Sequence, residues 1–454
     1  MTQTFLASRV WLNNTWAKDV LLTVSPTGYW QQVESNPNCE AKRKAQPLEG
    51  YTLPGLTNAH SHAFQRAIVG KTETANRNTK GGISTDNFWT WRNQMYSTAL
   101  RVTPDAVERI ATHLYRELLQ GGYTHVCEFN YLHNDLDGSP YADSLTLSMA
   151  HVRAAQAAGI GLTMLPTLYM RGGFDTPSLG VDQRRFASTP QSVLDVASAI
   201  NALNHPLINS GVAVHSLRAV DMGAIIELTT QAKQLGLPVH IHIAEQMQEV
   251  DSCIAQHRQR PIEYLLNQVD VDSRWNLVHA THTNHDEIAG IKAANAAIVI
   301  CPSTEANLGD GIVDLPTILQ SNTQWSIGSD SHVSRSWLDE LRLLEYSQRL
   351  QLRERNVSAN HAALSAQAHL GIGVSSGAAL LAGAVGGASI ASGRVLGEIA
   401  IGQRADFSQW APQVSLNHEG YLIATEECYV LDQMIFSHPG AQLTATHVAG
   451  KRVI

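Results

Sequence analysis

Short β-branched runs alternate with longer segments of helical spacing between residues 50 and 330. In the longer segments, apolar residues recur every few positions, which indicates helices packed on a core. Strands alternating with helices are typical of βαβ units around a parallel sheet. The pattern predicts an α/β fold, a TIM-like (β/α)8 barrel, with strands at Thr52–Leu56, Thr124–Phe129, Gly161–Thr167, Val212–His215, Pro238–Ile243, Asn276–His279, Ala297–Cys301 and Trp325–Gly328.

Local signals mark where helices of this region begin and end. Thr103 and Thr189 each precede a proline, which places a capping hydroxyl before a proline at the first helical position. Gly121, Gly159 and Gly236 fall where the helical patterns stop. These signals divide the region into the repeated units that a barrel needs.

The two ends of the chain have a different pattern, with short alternating segments such as Val20–Val24 and Thr444–Val448. Because the ends of a barrel chain can lie close together, residues 1–48 and 394–454 are predicted to form one small β-sandwich domain. Residues 49–393 are then the barrel domain. Within it, the polar stretch from Lys71 to Asn87 is consistent with a surface loop and equally with a lid or subunit contact.

Composition narrows the classes of function. The 454 residues are 44% hydrophobic and have a net charge of -8 without clusters of lysine or arginine, which argues against nucleic acid or an anionic membrane as partner. The apolar stretch Val374–Ile390 is interrupted by serine and glycine and suits a packed helix pair better than a membrane span. The five scattered cysteines lack paired spacing, and the first residues lack a secretory signal pattern. We therefore expect a cytoplasmic protein with reduced thiols.

A His-X-His pair follows the apolar run of the first predicted strand. Residues two apart in a strand point to the same side, so His60 and His62 can place two imidazole nitrogens on one metal ion. The pair alone is weak evidence, because the chain has 20 histidines. Compatible side chains at other strand ends strengthen the interpretation.

Three later strands end in side chains of the same kind. His242 lies at the mouth of the fifth strand, with Glu245 three residues on. His279 ends the sixth strand, and Asp330 follows the eighth. Active residues of barrels lie at the carboxyl ends of the strands, and three histidines with one aspartate suit a divalent ion such as zinc. Two alternatives stay open: His240 could replace His242, and Asp330 could cap the following helix.

The ligand motifs together resemble the amidohydrolase superfamily. The resemblance rests on Leu53–His62, His240–Glu245, Leu277–Ala280 and Gly328–His332, and Gly397–Phe407 resembles that family's return to its small β domain. It implies His60, His62, His242 and Asp330 as the metal ligands.

Lysine placement bears on the number of metal ions. Two-metal relatives use a bridging lysine at the fourth strand, whereas the only lysine between Lys80 and Lys292 is Lys233, inside a predicted helix. The resemblance therefore implies a single divalent ion, with Zn²⁺ the best match to the ligands.

More specific strings resemble the N-formimino-L-glutamate deiminases of histidine catabolism. These strings are His60–Arg66, Phe88–Arg92, Val212–Arg218 and Phe129–His133. The resemblance implies hydrolysis of a small dicarboxylate amidine, N-formimino-L-glutamate, to N-formyl-L-glutamate and ammonia by a homodimer. It implies a substrate pocket lined by Gln65, Arg92, Tyr131, His215 and Arg218, and leaves open whether Arg92 acts in its own or a neighbouring subunit.

The chemistry of these side chains agrees with such a reaction. Arg218 and Tyr131 can hold a carboxylate by directed hydrogen bonds. We expect Asp330 to take a proton from the attacking water, Glu245 to deliver protons to the departing nitrogen, and His279 to stabilise the tetrahedral intermediate. A deaminase of a guanine-like or cytosine-like heterocycle is the first alternative, and a barrel that has lost catalysis and serves as a scaffold is the second.

Overall fold

A computed structural model describes residues 2–74, 86–362, 375–412, 414–416, 418–437 and 441–454. Most of the predicted loop or lid between Lys71 and Asn87, residues 75–85, lies outside this range. The strands are β1 (Gln3–Leu12), β2 (Thr15–Val24), β3 (Trp30–Ser35), β4 (Gln46–Pro54), β5 (Leu56–Ser61), β6 (Tyr123–Asn130), β7 (Gly161–Leu168), β8 (Ile208–Ser210), β9 (Val212–Ser216), β10 (Val239–Ile243), β11 (Trp275–His279), β12 (Ala297–Ile300), β13 (Gln324–Ile327), β14 (Phe407–Pro412), β15 (Ser415–Leu416), β16 (Leu422–Ile423), β17 (Ala441–Val448) and β18 (Lys451–Arg452).

Helices follow most of the barrel strands. They are α1 (Cys39–Lys44), α2 (Phe88–Ala99), α3 (Pro104–Gln120), α4 (Thr146–Ala158), α5 (Pro190–Ala202), α6 (Met222–Gln234), α7 (Met247–His257), α8 (Pro261–Gln268), α9 (His285–Ala293), α10 (Pro302–Leu308), α11 (Leu315–Gln320), α12 (Trp337–Leu352), α13 (Val357–His361), α14 (Ser376–Gly386), α15 (Ala388–Ser392) and α16 (Val430–Phe436). The predicted caps are confirmed, since the Thr103 and Thr189 hydroxyls accept hydrogen bonds from the first turns of α3 and α5. In the part of the chain that the structure describes, no helix combines the length and apolar character needed to span a membrane.

The barrel is a parallel sheet in the order β5, β6, β7, β9, β10, β11, β12, β13, with short β8 paired to β7. Its first and last strands meet just beyond their ends. There the Asp330 amide donates to the His60 carbonyl at 3.0 Å, and the His62 amide donates to the Asp330 carbonyl at 3.2 Å. The predicted barrel is confirmed, and its closure falls on three of the predicted ligands.

The predicted first strand, Thr52–Leu56, is wrong in its bounds. The chain up to Pro54 belongs to β4, and Leu56 begins the first barrel strand. Gly55 is the crossing point between the sheets, and its amide donates to the Asp406 carbonyl at 2.9 Å. A Cβ at this position would lie 2.3 Å from the Thr124 hydroxyl, so the crossing requires glycine. The apolar run therefore spans two sheets.

The terminal segments form a separate, mostly antiparallel sheet in the order β18, β17, β14, β4, β1, β2, β3. Its own apolar cluster includes Phe5, Val20, Trp30 and Phe407, all buried. Strands from the beginning and end of the chain pair directly, since β14 pairs with β4. The prediction that both ends of the chain build one small β unit is confirmed.

Candidate active site

Four side chains converge at the mouth of the barrel. The Nε2 atoms of His60, His62 and His242 lie 2.9 to 3.3 Å from one another. Asp330 Oδ1 lies 3.5 Å from His60 Nε2 and 3.4 Å from His62 Nε2. The structure thus brings together donors that the sequence places at three different strand ends, up to 270 positions apart.

The donor set fits a single divalent cation. Burial lowers the pKa of His60 to about 3 and also lowers the pKa of His62 and His242, so the rings are neutral and their nitrogens can bind metal. The Nδ1 atom of His62 lies 2.8 Å from the Phe129 carbonyl, which directs the lone pair of Nε2 into the site. Zinc bonds of about 2.0–2.1 Å in a tetrahedron place ligand atoms about 3.3 Å apart, close to the distances here.

Buried hydrogen bonds hold the backbone around His60 and His62 in place. Ser61 donates its hydroxyl hydrogen to Glu128 at 2.6 Å, and the Ala63 amide donates to the same carboxylate at 2.6 Å. His332 lies 3.2 Å from the Ser61 hydroxyl. These buried contacts fix the strand end from which His60 and His62 project.

Several site residues have backbone angles that side chains rarely adopt. Asp330 has a φ of 46°, and His279 has a φ of 70°. Positive φ in residues other than glycine costs about 1–3 kcal/mol and clusters at functional sites, where surrounding structure holds it in place. Here the strained positions are those that turn side chains from strand ends into the barrel mouth.

Glu245 and His279 lie beside the four predicted metal ligands. His279 Nε2 lies 3.6 Å from Glu245 Oε1 and 3.8 Å from Asp330 Oδ2. On its other side, His279 Nδ1 lies 3.3 Å from Glu305 Oε1. Burial opposes the charge of His279, but Glu245 and Glu305 outweigh it and raise the pKa of His279 to about 10. Burial raises the pKa of Glu245 to about 7, in the range that suits transfer of a proton in either direction.

The predicted substrate-binding side chains line the same cavity as three of the predicted metal ligands, His62, His242 and Asp330. Gln65 donates its side-chain amide to the Tyr131 hydroxyl at 2.9 Å, and both residues are buried. The ring of His215 packs against Tyr131 at 5.4 Å and against His242 at 5.1 Å between centroids. These contacts place polar groups on one wall and the ligand cluster at the base.

Two arginines face this cavity with free hydrogen-bonding capacity. The Nε atoms of Arg92 and Arg218 are buried and have no hydrogen-bond partner in the described residues. The guanidinium carbons of Arg92 and Arg218 lie 4.4 and 5.8 Å from the centroid of Trp89. Burial opposes the charge of Arg218, but Glu249 and Glu245 keep its pKa above the ordinary value. The cavity therefore presents two cations that lack a direct anionic partner at Nε.

The structure resolves the two alternatives at the ligand positions. His240 is buried with Nε2 2.9 Å from the Ala391 carbonyl, away from the cluster. Helix α12 begins at Trp337 with Ser336 before it, so Asp330 does not cap that helix. Arg92 lies in the cavity of its own chain, beside the other predicted residues.

Sequence reasoning missed several residues of the site. Trp89 was part of a matched string but was not assigned a role, although it packs against both guanidiniums, and Tyr96 lines the cavity. Glu305 and Asp310 lie beyond the seventh barrel strand, which has no histidine to draw attention to it. Their placement at the strand mouths was the signal that could have found them.

Comparisons with known proteins agree with this geometry. A model of the amidohydrolase family matches residues 51–453. A formimidoylglutamate deiminase from Pseudomonas aeruginosa is 40% identical over 452 residues, covering 99% of this chain and 94% of the relative. An amidohydrolase from Brucella melitensis superposes with a TM-score of 0.87 at 36% identity, covering 99% of this chain and 94% of the other. An adenosine deaminase from Xanthomonas campestris with bound zinc has a TM-score of 0.75 at 22% identity, covering 99% and 92%, and shows a shared fold.

Proposed function

The chain belongs to the amidohydrolase family, and on this basis we propose that it hydrolyses N-formimino-L-glutamate to N-formyl-L-glutamate and ammonia. The full-length relative at 40% identity is named for this reaction. The cavity independently favours a small dianionic substrate.

The observation that carries the proposal is the pair of arginines whose Nε groups, within the part of the chain that the structure describes, lack partners in the cavity that also holds His62, His242 and Asp330. Arg92 and Arg218 lie in one small cavity, each with a buried Nε that lacks a hydrogen-bond partner in the described residues. Two half-buried cations with buried, unpartnered Nε groups are stabilised when a ligand brings negative charges and acceptors to them. A dicarboxylate brings two, and guanidinium groups bind carboxylates by paired hydrogen bonds. Tyr131 and Gln65 add neutral hydrogen-bonding groups on the same wall.

The ligand cluster supports metal-assisted hydrolysis. His60, His62, His242 and Asp330 would hold the ion, and the relative with bound zinc makes zinc the first candidate. When bound, zinc supplies Lewis acidity that lowers the pKa of a coordinated water to about 7.

The remaining steps are assigned to side chains of the chain itself. Asp330 accepts a proton as the water oxygen forms a bond to the amidine carbon. His279 donates a hydrogen bond to the oxygen of the tetrahedral intermediate, a role of about 2.7–4 kcal/mol in comparable sites. Glu245 delivers two protons to the terminal nitrogen, one passed on from Asp330 and one from the hydroxyl that becomes the formyl oxygen, the C–N bond breaks, and ammonia leaves. The formyl group stays on the glutamate nitrogen, so atoms and protons balance.

The setting of the reaction is also proposed. A deiminase of this specificity would act in histidine degradation, in the cytoplasm, as a homodimer. All five cysteines are free, which agrees with a reducing compartment.

The test is an assay of ammonia release with the metal-loaded protein. N-formimino-L-glutamate should be turned over at least 100-fold faster, by kcat/KM, than guanine, cytosine or adenosine. A higher rate with a neutral heterocycle would contradict the proposal and favour the heterocycle deaminase. A folded protein that binds no metal and releases no ammonia from any of them would instead favour the scaffold.

A further inference from the structure

A second group of metal-ligating side chains lies next to the proposed catalytic centre. Glu245, His279 and Asp310 are buried, and one donor atom of each lies within 4.8 Å of the other two. None of the three is required to bind the first ion, which the four proposed ligands hold. Asp310 also has no part in the proposed reaction.

Asp310 is fixed so that a single oxygen is left free. Its amide donates to the Glu305 carbonyl at 2.9 Å, and its carbonyl lies 2.8 Å from His282 Nε2. The side-chain amide of Gln246 donates to Asp310 Oδ1. Asp310 Oδ2 is buried and has no hydrogen-bond partner in the described residues. An unpartnered buried carboxylate oxygen is costly, and a ligand that satisfies it gains that free energy.

The surroundings of this oxygen are strongly acidic. Glu245 offers a carboxylate oxygen within 4.8 Å of an Asp310 oxygen. Glu305 and Asp330 add further negative charge around His279. A divalent cation would relieve this repulsion, and two carboxylates with one imidazole form a donor set that zinc accepts with water in the fourth position.

We propose that Glu245, His279 and Asp310 form a second, inhibitory site for a divalent cation, with zinc as the ligand when it is in excess. An ion there displaces a proton from His279 and binds Glu245, so neither the proposed hydrogen-bond donor nor the proposed proton carrier can act. Turnover must then fall, although the first ion stays in place. The site makes the enzyme sensitive to free zinc above the level that fills the catalytic centre.

The experiment starts from protein that contains one zinc per chain. Zinc is titrated in by calorimetry, and ammonia release is followed at the same free zinc concentrations. Wild type should take up a second equivalent and lose at least tenfold in activity. Asp310→Asn, which keeps an acceptor for Gln246 but removes the unpartnered carboxylate oxygen, should bind one equivalent, and its own activity, whatever its level, should not fall at that zinc concentration. Exposed Asp286→Asn is the matched control and should behave as wild type.

An unchanged second binding event in Asp310→Asn would overturn the proposal, as would equal inhibition of the two proteins. Asp310→Ser repeats the comparison if the asparagine variant does not fold. Anomalous diffraction from wild-type crystals grown in excess zinc gives a direct readout. A second peak ligated by Glu245, His279 and Asp310 is expected, and a second peak only elsewhere contradicts the site. Calorimetry and diffraction need no substrate, so they stay decisive even if the proposed reaction is wrong.

Discussion

His279 illustrates how single residues set the chemistry of this site. Glu305 stands 3.3 Å from one ring nitrogen and Glu245 3.6 Å from the other. A ring between two carboxylates keeps protons on both nitrogens, so His279 can donate a hydrogen bond into the cavity. Glu245 has the complementary role, since its pKa of about 7 allows it to accept and release a proton near neutral pH.

Replacement of Glu245 by glutamine tests this division of roles. We expect Glu245→Gln to keep its metal and fold, because the four proposed ligands are unchanged. Its kcat should fall by about 10²–10⁴, the usual contribution of a positioned acid or base. Steady-state kinetics paired with metal analysis checks both points. Activity within threefold of wild type, at equal metal content, would remove Glu245 from proton transfer.

The charge of Arg218 is expected to act mainly on substrate binding. Arg218→Met keeps much of the side-chain volume but loses a charged hydrogen bond, worth about 1.5–3 kcal/mol. KM for N-formimino-L-glutamate should therefore rise about 10- to 100-fold, with a smaller change in kcat. Arg153→Met is the control, since Arg153 pairs with Glu108 on the surface. An unchanged KM in Arg218→Met would contradict carboxylate binding at this position.

At the scale of elements, strand ends were predictable and the connections between them were not. Polar side chains after short apolar runs indicated His242, His279 and Asp330, because the period of a strand and the barrel rule fix where such side chains point. The bounds of the first strand failed because one apolar run crosses at Gly55 from one sheet to another. Glu305 and Asp310 follow β12 on a short helix and turn, and their approach to His279 depends on tertiary packing that periodicity does not encode.

Helix α2 presents Arg92 to the cavity from its first turns, with Trp89 packed against the guanidinium. Its beginning is fixed by Asn87, whose side chain accepts hydrogen bonds from the amides of Trp89 and Thr90. Because Trp89 packs against the guanidiniums of Arg92 and Arg218, the order of this turn determines where both cations point. The helix start therefore supports the proposed substrate site.

Loss of this cap should affect binding more than folding. Asn87→Ala is expected to cost about 0.5–2 kcal/mol at the helix end and to raise KM severalfold while the metal content stays constant. Thr103→Ala removes the equivalent cap from α3, where the Thr103 hydroxyl accepts a hydrogen bond from the Ala106 amide. Thr103→Ala should lower the melting temperature about as much as Asn87→Ala does, but without a change in KM. Equal KM values in the two variants would show that the α2 start does not order the cavity.

At the scale of the whole molecule, the proposed metal centre coincides with closure of the barrel. His60 and His62 come from the first barrel strand, and Asp330 follows the last. Backbone hydrogen bonds between Asp330 and these histidines join the two strands at the same point. An ion held by these side chains would join the first and last strands a second time. Through His242 it would also connect them to the fifth strand.

Removal of the ion should therefore weaken the whole barrel. An ion that binds the folded chain but not the unfolded chain adds about 4 kcal/mol to the free energy of unfolding when free zinc is 1,000 times its Kd. Chelation should lower the melting temperature by several degrees, and added zinc should restore it. Asp330→Asn keeps the backbone bonds of the closure but loses the anionic ligand, so its melting temperature should respond much less to chelator and zinc. Calorimetric melting of both proteins checks this. A wild-type melting temperature indifferent to chelation would mean that the backbone closes the barrel without help from the metal.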